Sequence, residues 1–132
     1  MTLFANPAKR KTRDIGRQAE QLALQYLQSR GMKLVECNYN CRFGEIDLIL
    51  KDNNVLVFTE VRYRKQKAFG SGAESIDARK QQKLLASAAY YLQKHPEFSQ
   101  HPCRFDVVSL NGAKLDQQHI EIDWIPDAFQ AG

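Results

Sequence analysis

Two acidic residues, Asp47 and Glu60, lie in neighbouring β-forming stretches of the chain, residues 44–50 and 55–64. The Asn-Asn pair at 53–54 between these stretches predicts a β-hairpin. With the turn centred on that pair, Asp47 and Glu60 face each other across the two strands. Because like charges in facing positions of a sheet are unfavourable, the two carboxyl groups are expected to share a proton or to bind a cation.

This pairing has two interpretations that the spacing leaves open. Hard divalent ions such as Mg²⁺ bind carboxylate oxygens and keep several waters, which would make the hairpin a metal site. Alternatively, Arg62 and other basic groups neutralise the acids in a structural ion-pair network. By the same register, Arg62 would face Glu45.

Alternation along the two strands predicts one continuous apolar face, which packs on a core. That face carries Ile46, Leu48, Leu50, Val55, Val57, Thr59 and Val61. The opposite face has the acids at one end and Ile49 and Phe58 toward the turn. The hairpin is therefore expected to be covered on both faces.

The remaining elements must position this hairpin. Apolar spacing predicts a helix over 14–30, with Asp14 as N-cap and Gly31 as its stop, and a second helix over 75–94 that ends before Pro96. Glu20 falls on the edge of the apolar stripe of the first helix. Strands are expected near 33–37, 104–110 and 119–125. This order predicts an α/β fold with a single mixed sheet flanked by helices, in one domain over 14–132 behind a flexible basic arm at 1–13.

Composition is compatible with a nucleic-acid partner. The 132 residues carry a net charge of +4, with a pI near 9.0, and 43% of them are hydrophobic. No apolar run approaches the roughly 20 residues of a membrane helix, and the three cysteines without a signal peptide favour a reducing, cytoplasmic setting. A composite zinc site is conceivable, but its second ligand pair is irregular. Its ligands would be Cys37, Cys41, His95, His101 and Cys103.

Three motifs in sequence order carry a family resemblance: Gly-Arg-Gln-Ala-Glu at 16–20, Gly-Glu-Ile-Asp-Leu-Ile at 44–49 and Phe-Thr-Glu-Val-Arg-Tyr-Arg at 58–64. Together with Arg-Phe-Asp-Val-Val at 104–108, they resemble the YraN-type family of uncharacterised bacterial proteins. That family is similar to archaeal Holliday-junction resolvases and to the wider PD-(D/E)xK nuclease superfamily. The resemblance implies a restriction-endonuclease-like, resolvase-like core over most of the chain.

The resemblance also implies a catalytic set of Glu20, Asp47, Glu60 and Arg62, with Mg²⁺ or Mn²⁺ as cofactor. Asp47 and Glu60 match its metal-binding acids, and Val61 matches a residue that offers its backbone carbonyl to the metal. Arg62 stands where the nuclease pattern has lysine. Arginine stabilises charge on a phosphate well, but it is a poor general base because its pKa stays above about 12.

Lys80 on the second helix is a candidate substitute for the lysine of the nuclease pattern. The commoner role of such a residue is to extend a long side chain past the apolar stripe of its helix into solvent. Basic residues in the two segments that flank the hairpin predict a track for a nucleic-acid backbone. They are Arg42, Arg64, Lys65, Lys67, Arg79, Lys80 and Lys83.

The sequence thus predicts a Mg-dependent, endonuclease-like phosphodiesterase for structured or branched DNA, with DNA favoured over RNA. Two alternatives remain: an inactive nucleic-acid-binding module, which Arg62 favours, and a protein-interaction adaptor with a structural acidic cluster. Resolvase-like relatives further imply a homodimer, because a junction has two-fold symmetry.

Overall fold

A computed structural model describes residues 7–65 and 76–130, with two helices and five strands. The elements are α1 (Pro7–Ser29), β1 (Lys33–Cys41), β2 (Gly44–Asp52), β3 (Val55–Arg64), α2 (Ala78–Lys94), β4 (Cys103–Asn111) and β5 (Glu121–Phe129). No helix in this part of the chain combines the length and the apolar character that crossing a membrane requires.

The strands form one sheet in the order β1-β2-β3-β4-β5. β3 and β4 pair in parallel, and the other neighbours pair antiparallel. The parallel pair follows from its connection, because α2 carries the chain back between β3 and β4. The expected α/β fold, a single mixed sheet flanked by helices, is confirmed.

Each face of the sheet carries its own apolar core. Leu48, Leu50 and Val57 pack with Ala23 and Leu27 of α1. The side chains that alternate with them pack with α2. These include Ile49, Leu56 and Phe58 of the sheet and Leu84, Ala88 and Tyr91 of the helix. The hairpin is therefore buried on both faces, as its sequence predicts.

The prediction is wrong for Ile46, which was expected beside Leu48 and packs instead in the cluster under α2. Strict alternation fails between these residues, opposite Asn38 of β1. Asn38 has a φ of 53°, a left-handed conformation that asparagine tolerates better than most residues. The irregular backbone lies beside Asp47, so it changes the local direction of side chains at the acidic end of the hairpin.

The first helix starts earlier than its sequence pattern suggests. α1 begins at Pro7, so residues 7–13 of the expected basic arm are helical and Asp14 lies inside the helix rather than at its N-cap. Proline is well suited to a first helical turn, because its missing N–H has no partner there in any case. Residues 1–6 lie outside the described part of the chain.

The end of α1 agrees with the sequence. Gly31 has a φ of 92°, and the N–H groups of Gly31 and Met32 bond to the carbonyls of Gln28 and Leu27 at 3.0 and 3.2 Å. This is a Schellman cap, which glycine permits. Met32 then packs into the core with Leu27, which fixes α1 across the sheet.

The hairpin register matches the prediction where its backbone ladder is formed. Asp52 faces Val55 and Leu50 faces Val57, and the ladder continues to Leu48 and Thr59. Three other elements differ at their bounds. β1 runs on to Cys41 and β5 to Phe129, and α2 begins at Ala78, after Asp77.

Candidate functional site

The two strands of the hairpin separate next to Asp47. Beyond the last ladder pair, Leu48 and Thr59, the backbone N–H of Val61 donates a hydrogen bond of 2.8 Å to Asp47 Oδ2. A side chain thus occupies the gap that opens between β2 and β3. In an extended strand the N–H and C=O of one residue point to the same edge, so the Val61 carbonyl also faces this gap.

Three carboxylates converge at the gap. Single oxygen atoms of Glu20, Glu45 and Asp47 all lie within 4.8 Å of one another. Glu20 reaches the site from α1, where the core contacts of Ala19 and Ala23 orient the adjacent helix face toward the sheet. Glu20 also accepts a hydrogen bond from the side chain of Asn38, so the residue with irregular backbone helps to hold this acid.

The fourth acid, Glu60, approaches the gap from β3 and is only 6% exposed. Its carboxylate lies 3.1 Å from the Lys80 ammonium on α2. It is also within hydrogen-bonding reach of the Asp47 carboxyl group. Glu60 therefore links the acidic gap to a cation supplied by the other helix, and the expected meeting of Asp47 and Glu60 takes place through their side chains.

Three of these acids hold their protons more tightly than usual. Burial raises the pKa of Asp47 to about 8, and the charges of Glu60, Glu20 and Glu45 act in the same direction, against the Val61 N–H. Burial also raises the pKa of Glu60, although Lys80 and Arg62 oppose the shift. For Glu20, burial again raises the pKa, while Asn38 and Arg17 oppose it.

This electrostatic pattern suits a cation. Nearby positive groups do not return the three pKa values to their ordinary range. Burial and the Glu60 charge are the two largest causes of the raised pKa of Asp47. A divalent ion would relieve the repulsion directly. The donors are all oxygen atoms, the ligands that Mg²⁺ and Mn²⁺ prefer. The residues therefore fit the expected cofactor.

The observed group differs from the expected metal ligands at two acids, because it includes Glu45 and does not include Glu60. Glu45 was expected to face Arg62 across the hairpin, and one of its oxygen atoms also lies within 4.8 Å of oxygen atoms of Glu20 and Asp47. The register argument could not place it, because the ladder ends at Leu48 and Thr59. The Glu-x-Asp spacing of residues 45 and 47 was a usable signal, since alternate residues of a strand share a face.

Arg62, which stands where the nuclease pattern has lysine, lies at the acidic end of the sheet near several of the predicted nucleic-acid contacts. Arg62 is close enough to Glu60 to lower the pKa of that acid. Of the proposed nucleic-acid contacts, Arg79 and Lys83 are exposed on the first turns of α2, and Lys65 is exposed after β3. Arg64 is half-buried at the end of β3. Lys67 lies outside the described residues.

The thiols do not form the alternative zinc site. Cys37, Cys41 and Cys103 are free. Within residues 7–65 and 76–130, the group able to hold a metal consists of carboxylates. Cys37 and Cys41 belong to β1, an edge strand, whereas Cys103 begins β4 on the far side of β2 and β3.

Fold and site together define an α/β domain with an acidic cluster where two strands of a mixed sheet separate. Residues 19–110 match the model of a family described as "Uncharacterised protein family UPF0102", and the chain belongs to this family. It is the YraN-type family that the sequence motifs resemble.

Similar proteins occur in several bacteria, each described as a UPF0102 protein. The relative from Nitrosococcus oceani is 50% identical, over 89% of this chain and 93% of its own length. The one from Stutzerimonas stutzeri is 47% identical, over 88% and 94%. The one from Pseudomonas putida is 44% identical, over 94% and 98%. The similarity thus covers most of this chain and nearly the full length of each relative.

Proposed function

We propose that this protein binds nucleic acid and hydrolyses phosphodiester bonds in structured or branched DNA with the help of Mg²⁺ or Mn²⁺. The observation that carries the proposal is the convergence of Glu20, Glu45 and Asp47, with oxygen atoms within 4.8 Å of one another. A purely structural cluster would be expected to match each acid with a partner. Here the pKa values of Glu20 and Asp47 remain raised.

In this proposal Glu20, Glu45 and Asp47 hold the ion, and the Val61 carbonyl is a further candidate ligand. A bound divalent cation would polarise the phosphate and lower the pKa of a coordinated water. The proton shared by Asp47 and Glu60 would leave when the ion binds, because metal ligands must be deprotonated.

Two cations of the chain complete the site in this scheme. Arg62 offers a planar, permanently charged group that stabilises the negative charge developing on the phosphate. Lys80, 3.1 Å from Glu60, would supply from α2 the ammonium that the E-x-K pattern takes from the strand itself. Glu60 would then act as a positioning residue that holds Lys80 against the site.

The basic residues around the acidic gap would bind the backbone of the nucleic acid. Lys83 illustrates their placement, since its Cβ lies within 3.7 Å of the position that a Cβ on Gly44 would take, one residue before Glu45. Charges so close to the cluster favour a phosphate path that crosses it. Such contacts would recognise backbone and shape rather than sequence.

A cleavage panel tests the function. Purified protein with Mg²⁺ or Mn²⁺ is incubated with branched, single-stranded and duplex DNA and RNA, beside an Asp47→Asn variant. We expect the wild type to cut branched DNA and the variant to lose more than about 100-fold in rate, the upper range for groups that support a metal ligand. An Asp116→Asn variant, changed at a loop residue that is not part of the acidic cluster, should cut normally.

A second outcome of the panel, binding without cleavage, would bear on the role of Arg62. If the protein binds these substrates in a salt-sensitive manner and cuts none of them, it is a nucleic-acid-binding module. An Arg62→Lys variant that gains cleavage would then show that the native arginine limits catalysis. If neither binding nor cleavage occurs on any substrate, the proposal is wrong and an adaptor role takes its place.

A further inference from the structure

Beside the acidic site, a tight turn presents an aromatic residue to solvent. β1 and β2 are joined through Arg42 and Phe43, and Cys41 faces Gly44 across the turn. Gly44 has a φ of 148°, which favours glycine there. Phe43 is 37% exposed. A single exposed aromatic is common on protein surfaces, so its surroundings decide whether it has a role.

Phe43 lies against a second aromatic ring from α2. The ring centroids of Phe43 and Tyr90 are 5.8 Å apart, at an interplanar angle of 62°. We call these two residues the aromatic platform. The turn and α2 are distant in sequence, so the fold itself assembles the platform.

Two cations border the platform. The Arg42 guanidinium carbon lies 4.8 Å from the centroid of the Phe43 ring and 5.9 Å from that of Tyr90. The Lys94 ammonium lies 5.4 Å from the Tyr90 centroid. Aromatic faces bordered by arginine and lysine are the usual surface for unpaired bases, which stack on the rings while the cations bind phosphates.

The platform opens onto a groove of about 630 Å³. Its lining includes Arg42, Phe43, Tyr90, Gln93, Ser99 and His101, and none of the residues that line it is acidic. The groove therefore combines apolar ring surface with hydrogen-bonding groups and positive charge. This composition complements a nucleobase attached to an anionic backbone.

The position of the platform connects it to the acidic site. Phe43 precedes Glu45 by two residues, which span at most about 7 Å of backbone. Lys83 lies beside Gly44, between the two. A nucleic-acid strand that places a phosphate at the acidic cluster could thus place a neighbouring base on the rings.

We propose that the aromatic platform stacks an unpaired base, so that the preferred substrate has single-stranded nucleotides next to the phosphate held at the acidic cluster. This inference rests on the proposed nucleic-acid function and names its substrate class. Arg42 is exposed, and its flexible side chain can move to a phosphate as a base takes its place over the rings. A fully paired duplex offers no free base face to the platform.

The test compares Phe43→Leu and Tyr90→Leu, which keep apolar bulk and remove the ring faces. Both are made with Asp47→Asn, so that no strand is cut during the measurement. Binding of a labelled single-stranded oligonucleotide and of a matched duplex is followed by fluorescence anisotropy. Each change should weaken single-strand binding by about 5- to 100-fold, the range for one lost stacking contact, and change duplex binding less than twofold.

A matched control and a local probe sharpen the result. Phe129→Leu removes an aromatic ring at the other edge of the sheet, where Phe129 stacks on Phe105, and should leave binding unchanged. The fluorescence of a 2-aminopurine base in the single strand should fall when the base stacks on the Asp47→Asn protein. It should stay unchanged when Phe43→Leu is added to that protein.

The outcomes separate this inference from the proposed function. Selective loss of single-strand binding supports the platform whether or not the wild type cuts DNA. If both variants bind as before, or if duplex binding falls as much as single-strand binding, the platform does not stack a base, even if cleavage is found. The groove would then be a site for an apolar protein segment. Failure of the parent protein to bind either oligonucleotide overturns the platform together with the nucleic-acid proposal.

Discussion

Two aspartates in this sheet, the buried Asp106 and the half-buried Asp47, have opposite surroundings. Asp106 of β4 has a side chain with no exposed surface, yet it accepts hydrogen bonds from Arg104 at 3.0 and 3.3 Å, from the Trp124 indole at 3.0 Å and from the Asp127 N–H at 2.9 Å. Asp47 of β2 accepts one bond, from the Val61 N–H, and its other close neighbours are carboxyl groups.

The contrast separates an acid whose charge is compensated from one whose charge is not. At Asp106 a guanidinium and two further N–H donors compensate the charge, so the residue ties β4 to β5. At Asp47 the neighbours add to the repulsion and the pKa rises to about 8. Perturbed carboxylates of this kind gather at functional sites more often than at structural ones. One sheet thus holds a satisfied acid and a strained acidic cluster.

The largest expected effect is on stability, at the satisfied aspartate. Asp106→Asn removes one of the two carboxylates that compensate Arg104, the other being Asp52, and turns an N–H toward donors that need an acceptor. Removing one partner of a buried ion pair costs about 3 to 5 kcal/mol, so the free energy of unfolding should fall by roughly this amount. Urea denaturation measures it. A loss below about 1 kcal/mol would remove the contrast with Asp47.

The next largest effect is expected on the cleavage rate, at Lys80, the cation that contacts Glu60. Lys80→Gln should lower the cleavage rate by about 10- to 100-fold, as expected for a group that supports a metal site. Its effect on stability should stay below about 1 kcal/mol, because the Lys80 side chain is 51% exposed and exposed ion pairs contribute little. Lys83→Gln, one turn along α2, is the matched control for the cleavage rate. Equal losses for both variants would mean that Lys80 acts only as backbone-binding charge.

The smallest expected effect is the stability change at Asp47. A carboxyl group with a higher pKa in the folded state takes up a proton on folding. Its contribution to stability is therefore lost as pH rises from the ordinary value of 3.8 to about 8. Asp47→Asn cannot titrate, so at pH 8 without metal we expect it to be more stable than the wild type, by about 1 kcal/mol.

Urea denaturation at several pH values checks this expectation. The advantage of Asp47→Asn should shrink toward pH 4, where the wild-type carboxyl is protonated in both states. If Asp47→Asn instead destabilises the protein by as much as Asp106→Asn at every pH, Asp47 is a structural residue and the contrast fails.

Much of the fold followed from the sequence, because its signals are local. Alternation and the Asn-Asn turn gave the hairpin register as far as Leu48 and Thr59. Periodic apolar residues gave both helices, and Gly31 gave the end of α1. The register also placed Asp47 near Glu60, and helical spacing turned Lys80 toward the site, where it contacts Glu60.

The rest depends on contacts that no local pattern encodes. The left-handed Asn38 breaks alternation and moves Ile46 to the other core. The separation of β2 and β3 leaves room for Glu45 to meet Glu20. The pairing of Phe43 with Tyr90 joins a turn to a distant helix. Each of these arises from tertiary packing, and all of them lie around the site rather than in the cores.

Direct binding of Mn²⁺ tests the central claim that the strained cluster is built for a divalent cation. Titration calorimetry at pH 8 should detect ion binding to the wild type that is lost in Asp47→Asn and Glu20→Gln and kept in Asp116→Asn. Binding should weaken as pH falls, because protons compete for the same oxygens. The absence of binding to the wild type, or equal binding to Asp47→Asn, would contradict the account.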